Sequence, residues 1–205
     1  VHLRGRYMQE AVPVGTGAMA AILGMPPDKV QQVCHDAALG QVCSPANINS
    51  PEQIVISGNS EAVQRAADLA RQRGAKRAIL LQVSAPFHCT LLLPAQERMA
   101  HDLAQLQFRP MEIPVVTNVD ANFVSTPDAA RDALVRQVTG AVQWDRCVRQ
   151  LIARGVETFV EVGPGKVLCG LMKQIDRSRT CVNVEGEASL EKTLNHFSHA
   201  RTGAF

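Results

Sequence analysis

The sequence is poor in aromatic residues and carries little net charge, and the low charge excludes one class of function. Aromatic residues make up 4% of the 205 residues, and the formal net charge is +2. No run of basic residues exceeds two, so the charge pattern of a nucleic-acid-binding protein is missing. No apolar run reaches the length of a membrane span, and no signal peptide is visible. We therefore expect a cytoplasmic globular protein that binds neither nucleic acid nor a membrane.

Cysteines are present, but their spacing lacks the patterns of metal or redox motifs. The six lie at positions 34, 43, 89, 147, 169 and 181. No pair has CxxC spacing, and none lies near two histidines at metal-ligand spacing. We expect six reduced, mostly buried thiols and no metal site.

The first 83 residues predict a helix followed by a small α+β unit. Residues 1–11 predict the last turns of a helix. Strands are predicted over 16–25, 41–47, 53–57 and 77–83, and helices over 28–38 and 61–73. The resulting order, β-α-β-β-α-β, is typical of a ferredoxin-like subdomain.

The remainder of the chain alternates between helices and strands. Helices are predicted over 91–106, 127–138, 143–154, 165–175 and 189–197, and strands over 113–118, 158–162 and 180–184. Such alternation favours a parallel sheet with helices on its faces. We expect an α/β fold in which 1–12 and 85–198 form a large domain, 13–84 an inserted small subdomain, and 199–205 a tail.

The strongest candidate for chemistry is His88, which follows Phe87 and Pro86 directly after a predicted strand. A histidine at the end of a strand can act as a general base. None of the nine serines occurs in the nucleophile pattern GxSxG. Cys89 adjoins His88, but neighbours in an extended segment point in opposite directions, so we expect Cys89 to pack in the core.

Two glycine-containing segments resemble ligand-binding loops but allow a structural interpretation. Residues 15–20 (GTGAMA) have the letters of a dinucleotide-binding loop, but they precede a strand instead of joining a strand to a helix. Residues 163–166 (GPGK) lack the spacing of a phosphate-binding loop. For GPGK we favour a tight turn between strand and helix, and an anion held by its amides is the alternative.

Several stretches form a characteristic series along the chain: 4–13 (RGRYMQEAVP), 17–21 (GAMAA), 44–51 (SPANINSP), 84–89 (SAPFHC), 114–120 (PVVTNVD), 135–137 (VRQ) with 142–144 (VQW), and 161–168 (EVGPGKVL). Together, in this order, they resemble the malonyl-CoA:acyl carrier protein transacylase family. The resemblance implies an α/β-hydrolase-like large domain that carries a ferredoxin-like subdomain. It also implies malonyl transfer from malonyl-CoA, through a serine ester, to the phosphopantetheine thiol of acyl carrier protein in fatty-acid biosynthesis.

The resemblance assigns roles to six residues. It makes His88 the base and Gln137 the residue whose main-chain carbonyl orients the imidazole. Arg4 is implied to bind the malonyl carboxylate, since a guanidinium can donate two charge-assisted hydrogen bonds to it. Phe87 is implied to restrict branched extender units, and Asn47 and Asn118 to lie near the acyl or coenzyme site. The family implies no cofactor of its own, and we expect a monomer.

The family's GHSxGE elbow and GQGxQ loop are not in this sequence. In the family they precede the helix that carries Arg4, so we expect this chain to be a C-terminal portion that is inactive alone. Three alternatives remain open. They are an acyltransferase domain of a polyketide synthase, an acyltransferase subunit of a malonate decarboxylase, and a non-catalytic relative that binds acyl carrier protein.

Overall fold

The computed structural model describes residues 1–202, with side chains as far as Ser198, and divides into two compact units. The first spans Val1–Gln150 and the second begins at Leu151. Both contain helices and strands, which confirms the predicted mixed α/β class. In chain order the elements are α1 (His2–Ala11), β1 (Gly17–Leu23), α2 (Pro27–Ala38), β2 (Cys43–Ser50), β3 (Gln53–Asn59), α3 (Ser60–Gln72), β4 (Arg77–Leu80), α4 (Leu93–Ala104), β5 (Val115–Val116), β6 (Phe123–Val124), α5 (Pro127–Arg136), α6 (Trp144–Ala153), β7 (Thr158–Val162), α7 (Val167–Ile175), β8 (Thr180–Val184) and α8 (Glu187–Thr202). Among the described residues, no helix has the length and apolarity needed to cross a membrane.

A four-stranded antiparallel sheet organises the first unit, with the strand order β2-β3-β1-β4. Successive side chains of a strand point to opposite faces, so each strand supplies two sets of apolar residues. Ala20 and Ile22 of β1 and Ile54 and Ile56 of β3 pack with buried residues of α2 and α3. The predicted element order over 16–83 is therefore confirmed, although β4 ends at Leu80 and β2 extends to Ser50.

The other face of this sheet leads to the candidate site. Met19 of β1, Ala46 of β2 and Val55 of β3 form a second apolar cluster, and Phe87 packs against it. Phe87 also packs against a third cluster, in which α1 lies on α4. Phe87 is therefore held from two sides, and His88 follows it in the chain.

The segment between α4 and α5 contains less strand than the sequence predicts. The predicted strand 113–118 is reduced to Val115–Val116, which pairs antiparallel with Phe123–Val124. The second of these strands was not predicted, because two residues are too few for a periodic pattern. The predicted helix 91–106 starts instead with a 3-10 turn over Thr90–Leu92 and continues as α4.

In the second unit, β7 and β8 pair in parallel and are joined through α7. This pair confirms the predicted strands and their parallel arrangement. The last helix continues to Thr202, beyond the predicted end at 197, and the assignment of 199–205 to a tail stays a prediction. Residues 203–205 of that tail lie outside the described residues.

One pair of cysteines contradicts the prediction of six reduced thiols. Cys169 of α7 and Cys181 of β8 form a disulfide, with their Cα atoms 5.4 Å apart. The pair was missed because α7 packing against β8 brings the two thiols together, whereas their spacing matches no motif. The described free cysteines are Cys34, Cys43, Cys89 and Cys147.

Candidate active site

His88 lies in the loop between β4 and α4, in a backbone conformation that few side chains adopt. Its φ is +62°, in the left-handed region, and such residues often occur at functional sites. The loop is fixed by the buried Pro86, which lies against Gly17. A Cβ atom on Gly17 would approach Pro86 Cγ to 2.3 Å. Gly17 is thus required for this close approach, and this explains one glycine of the GTGAMA motif.

The imidazole of His88 is oriented by two main-chain oxygens. Its Nδ1 lies 3.0 Å from the carbonyl oxygen of Gln137 and 3.1 Å from that of Gly140. Both oxygens only accept hydrogen bonds, so Nδ1 carries the proton and donates it. Nε2 is therefore the unprotonated nitrogen of the neutral ring, and its lone pair can accept a proton.

The two acceptors are held together just after α5. The side-chain Nε2 of Gln137 donates to the Gly140 oxygen over 3.0 Å, and the Gly140 amide donates to the Arg136 oxygen over 2.9 Å. A Cβ on Gly140 would lie 2.6 Å from Val119 Cγ2 and 2.8 Å from the Arg136 oxygen. The sequence predicted Gln137 but missed Gly140, because a glycine after a helix is usually only a stop signal.

The surroundings of His88 favour its neutral form. Burial lowers the pKa of the imidazole, and the positive charge of Arg4 lowers it further, while the hydrogen bonds to Gln137 and Gly140 oppose this shift. The net direction is below the ordinary histidine value. His88 is therefore unprotonated at neutral pH, as a general base must be.

Arg4 lies on α1 and shares a cleft with His88. The helix is anchored by Tyr7, Met8 and Val12, which pack in the cluster with α4. Met8 is one turn from Arg4, so both side chains lie on the same face of the helix. The cleft has a volume of about 550 Å³ and is lined by Arg4, Met8, Met19, Asn47, Phe87 and His88, among others.

The guanidinium of Arg4 is a partly buried positive charge in this cleft. Burial lowers its pKa from the ordinary arginine value, but an arginine side chain stays protonated in proteins. Within the described part of the chain, no carboxylate forms an ion pair with Arg4. A cation of this kind can bind an anionic group that enters the cleft.

Two predicted site residues, Gln137 and Asn118, do not line this cleft, but Gln137 is joined to it through the hydrogen bond from His88. Asn118 lines a separate cavity of about 310 Å³ with Val116 and Gln137. Its main-chain oxygen accepts from the Gln143 amide over 2.8 Å, and its Oδ1 accepts from Cys147 Sγ over 3.7 Å. The structure thus gathers His88, Gln137, Arg4, Phe87 and Asn47, and the role of Asn118 stays a prediction.

Backbone amides in and just after the GPGK segment donate hydrogen bonds to carboxylates of this chain. The Gly165 amide of the GPGK segment donates to Glu185 Oε2 over 2.9 Å, and Glu161 accepts from the Leu168 and Cys169 amides. These carboxylates occupy the positions that an anion would take, so the tight-turn interpretation is favoured.

Cys89 is buried and its thiol donates to the Pro86 oxygen. Within residues 1–198, no group of three or more His, Cys, Asp or Glu residues could hold a metal ion.

Comparison with known proteins identifies the relatives of this chain. Residues 1–195 match the model of the acyl transferase domain family. The chain is 53% identical to the malonyl CoA-acyl carrier protein transacylase of Escherichia coli K12, over 85% of this chain and 57% of that protein. It is similar in structure to an acyl carrier protein S-malonyltransferase from Vibrio cholerae, with a TM-score of 0.92 and 49% identity over 94% of this chain and 63% of the other.

A further solved structure contains a malonyl-transacylase in complex with its type II polyketide-synthase acyl carrier protein. It has a TM-score of 0.93 and 44% identity, over 95% of this chain and 63% of the other. The chain thus spans about 57 to 63% of the length of these relatives. Because the family model covers nearly the whole sequence, the chain belongs to the acyl transferase domain family.

Proposed function

We propose that this chain supplies the base and the substrate anchor for malonyl transfer from malonyl-CoA to the phosphopantetheine thiol of acyl carrier protein in fatty-acid biosynthesis. The observation that carries the proposal is the shared cleft, where a neutral histidine with a free Nε2 faces an arginine without a described carboxylate partner. The names of the E. coli and V. cholerae relatives support the same substrate and acceptor.

His88 moves the proton in both halves of the reaction. Its Nε2 accepts the proton of a serine hydroxyl as that oxygen attacks the thioester carbonyl, and the imidazolium then protonates the departing coenzyme A sulfur. In the second half, Nε2 accepts the proton of the carrier thiol, and the thiolate attacks the malonyl ester. The serine regains its proton from His88, so the cycle closes. The serine belongs to the GHSxGE elbow of the family, which this sequence does not contain.

Arg4 and Phe87 select the acyl group. A malonyl carboxylate can accept two charge-assisted hydrogen bonds from the Arg4 guanidinium, whereas an acetyl group leaves the guanidinium unpaired. The Phe87 ring lies beside the base and lines the cleft, so it restricts substituents next to the reacting carbonyl. Asn47 lines the same cleft, and we propose that it contacts the acyl or coenzyme portion.

We propose that the chain forms a small ferredoxin-like subdomain and part of a larger domain. The sheet order β2-β3-β1-β4 with α2 and α3 on one face supports a ferredoxin-like subdomain over 13–84. We propose that 1–12 and 85–198 belong to an α/β-hydrolase-like domain. We also propose that the protein is monomeric and cytoplasmic and that it uses substrates but no cofactor of its own.

The test joins this chain to the N-terminal segment of the E. coli relative, the part in which the family resemblance implies the serine elbow. Malonyl transfer from labelled malonyl-CoA to acyl carrier protein is measured by gel or mass spectrometry. We expect transfer by the joined protein, and a loss of about a thousandfold in the variant His88→Ala, a typical effect of removing a general base. Circular dichroism confirms that each variant is folded. A folded variant that keeps its rate would contradict the role of His88.

The variant Arg4→Ala tests the carboxylate anchor. We expect malonyl transfer to fall by about a hundredfold while acetyl transfer changes little, since a charge-assisted pair contributes about 2 to 3 kcal/mol. Unchanged discrimination would refute this role. The 205-residue chain alone is the matched control, and we expect it to transfer no malonyl group.

A carrier from polyketide synthesis is a second candidate acceptor. It is favoured by the solved malonyl-transacylase in complex with its polyketide-synthase carrier. Assays of the joined protein with both types of carrier distinguish the two, since the preferred acceptor gives the higher kcat/KM.

A further inference from the structure

Two free cysteines that the proposed transfer does not use lie together in the first unit. Cys34 lies on α2 and is 2% exposed within the core between the sheet and its helices. Cys43 begins β2 and is half-buried against the same core. Both line a second cleft of about 550 Å³, whose other residues include Gln31, His35 and Pro45. A small molecule can therefore reach this pair from solvent.

The two thiols have different environments. Interaction with the Cys43 thiol raises the pKa of Cys34, and burial adds to this effect. The same interaction lowers the pKa of Cys43, against the opposing effect of burial. Burial instead raises the pKa of Cys89, and raises that of Cys147 to about 11.

Arg65 places a fixed positive charge near Cys43. Its Nε donates to the Ala37 oxygen over 3.0 Å, and its Nη2 donates to the Ala38 oxygen over 3.2 Å and to Gln41 Oε1 over 2.7 Å. These contacts fix the guanidinium between the end of α2 and Gln41, which lies two residues before Cys43. Its charge also lowers the pKa of the Cys43 thiol. Electropositive, partly exposed surroundings are those of reactive cysteines.

We propose that Cys43 is a site of oxidation by hydroperoxides and that Cys34 is the thiol that resolves it. The Cys43 thiolate attacks the peroxide oxygen and breaks the O–O bond, giving a sulfenic acid and, for hydrogen peroxide, one molecule of water. The Cys34 sulfur then attacks the Cys43 sulfur, forming the S–S bond and releasing a second molecule of water. Two thiols are oxidised, and one peroxide is reduced.

Position explains the order of these steps. Cys43 is the more exposed partner and its pKa is lowered, whereas Cys34 is buried and its pKa is raised. The product would link α2 covalently to the first residue of β2. The proposal does not depend on malonyl transfer, because neither thiol lines the cleft of His88.

The test treats the 205-residue chain with hydrogen peroxide, blocks the remaining thiols by alkylation and digests it with trypsin. Residues 30–65 contain both cysteines and no internal lysine or arginine, so they form one peptide. We expect this peptide to lose two hydrogens and to escape alkylation until a reductant is added. At limiting peroxide, we expect it to react about tenfold faster than the peptides that contain Cys89 or Cys147, because reaction follows thiolate character and exposure.

Variants separate the two roles. In Cys34→Ala the sulfenic acid cannot be resolved, so dimedone should label Cys43. In Cys43→Ala, Cys34 should stay unlabelled, and Cys147→Ala is the matched control that should leave the bridge unaffected. First oxidation at Cys34, or oxidation of Cys89 and Cys147 as rapid as that of Cys43, would overturn the proposal. The mapping of the unmodified chain does not depend on any variant being folded.

Discussion

The Nδ1 of His88 lies 3.0 Å from the main-chain oxygen of Gln137, although 49 residues separate the two in the sequence. A backbone acceptor fixes the ring and its tautomer without placing a negative charge beside it. The positive charge in the same cleft therefore stays available for a substrate carboxylate. This arrangement suits a base that must work next to an anion.

The tautomer and protonation state of His88 can be measured directly. We expect nitrogen NMR shifts that show a proton on Nδ1 at neutral pH, and a titration below the ordinary value of about 6.5, because burial and Arg4 lower the pKa. A protonated Nε2 in the neutral ring would contradict the proposed base.

The same shift predicts how stability depends on pH. Between the lowered pKa and about 6.5, the unfolded chain binds a proton at this histidine more readily than the folded chain does. The free energy of unfolding should therefore fall as the pH drops through this window, and the variant His88→Gln should lack this part of the fall. Denaturant unfolding of both proteins between about pH 7.5 and about pH 5, a range that includes the ordinary histidine pKa of about 6.5, measures the difference. Parallel curves would show that His88 is not shifted.

Gly140→Ala should disturb the second acceptor of His88. The added methyl group collides with Val119 and with the Arg136 oxygen, and overpacking of this kind costs about 1 to 3 kcal/mol of stability. We expect a fall in kcat of the joined protein with little change in KM, together with a changed pKa in its pH–rate profile.

Two variants serve as controls for Gly140. Gly170→Ala adds a methyl group to open space in α7 and should be neutral or stabilising by up to about 1 kcal/mol. Gln137→Ala removes the side-chain hydrogen bond to Gly140 but keeps the main-chain acceptor of His88, so its effect on kcat should be the smaller one. A Gly140→Ala protein with an unaltered pH–rate profile would show that the second acceptor does not position the ring.

Phe87→Ser should relax selectivity for the extender unit. The ring lines the cleft beside His88, and removing it makes room for a methyl branch. We expect the ratio of methylmalonyl to malonyl transfer to rise about tenfold, the scale on which a pocket discriminates one methyl group. Phe87→Leu keeps much of the packing and serves as the control. If the ratio does not change in a folded Phe87→Ser protein, another residue sets the size limit.

Asp120→Asn should weaken the attachment of the end of α5. Asp120 accepts two hydrogen bonds from Arg136, over 2.6 and 2.7 Å, and Arg136 immediately precedes Gln137. Both side chains are partly exposed, so we expect a loss of only about 1 kcal/mol at pH 7. Arg136 lowers the pKa of Asp120, so this contribution is present above the ordinary aspartate value and is lost as the pH falls through the lowered one. Chemical denaturation at pH 7 and pH 3, below the ordinary aspartate pKa of about 3.9, should show a smaller difference at the lower pH.

Much of the secondary structure could be predicted from local pattern. Residues 158–162 and 180–184 are strands as predicted, and α5 begins after Thr126, whose side chain caps the helix. Apolar periodicity and capping are local properties, so the sequence expresses them directly. The strand Phe123–Val124, the short length of β5 and the extent of α8 were not predicted, since they depend on pairing and packing with distant segments.

The sequence by itself determined the order of the elements, the position of His88 after a strand and, through its resemblance to a family, the residues expected around it. Only the tertiary structure decided that Arg4, Asn47, Phe87 and His88 share one cleft while Asn118 lies in another. It also revealed the Gly140 acceptor, the disulfide of Cys169 with Cys181 and the cleft that Cys34 shares with Cys43. These relationships depend on how helices pack on sheets, and contacts between residues far apart in sequence leave no periodic signal in it.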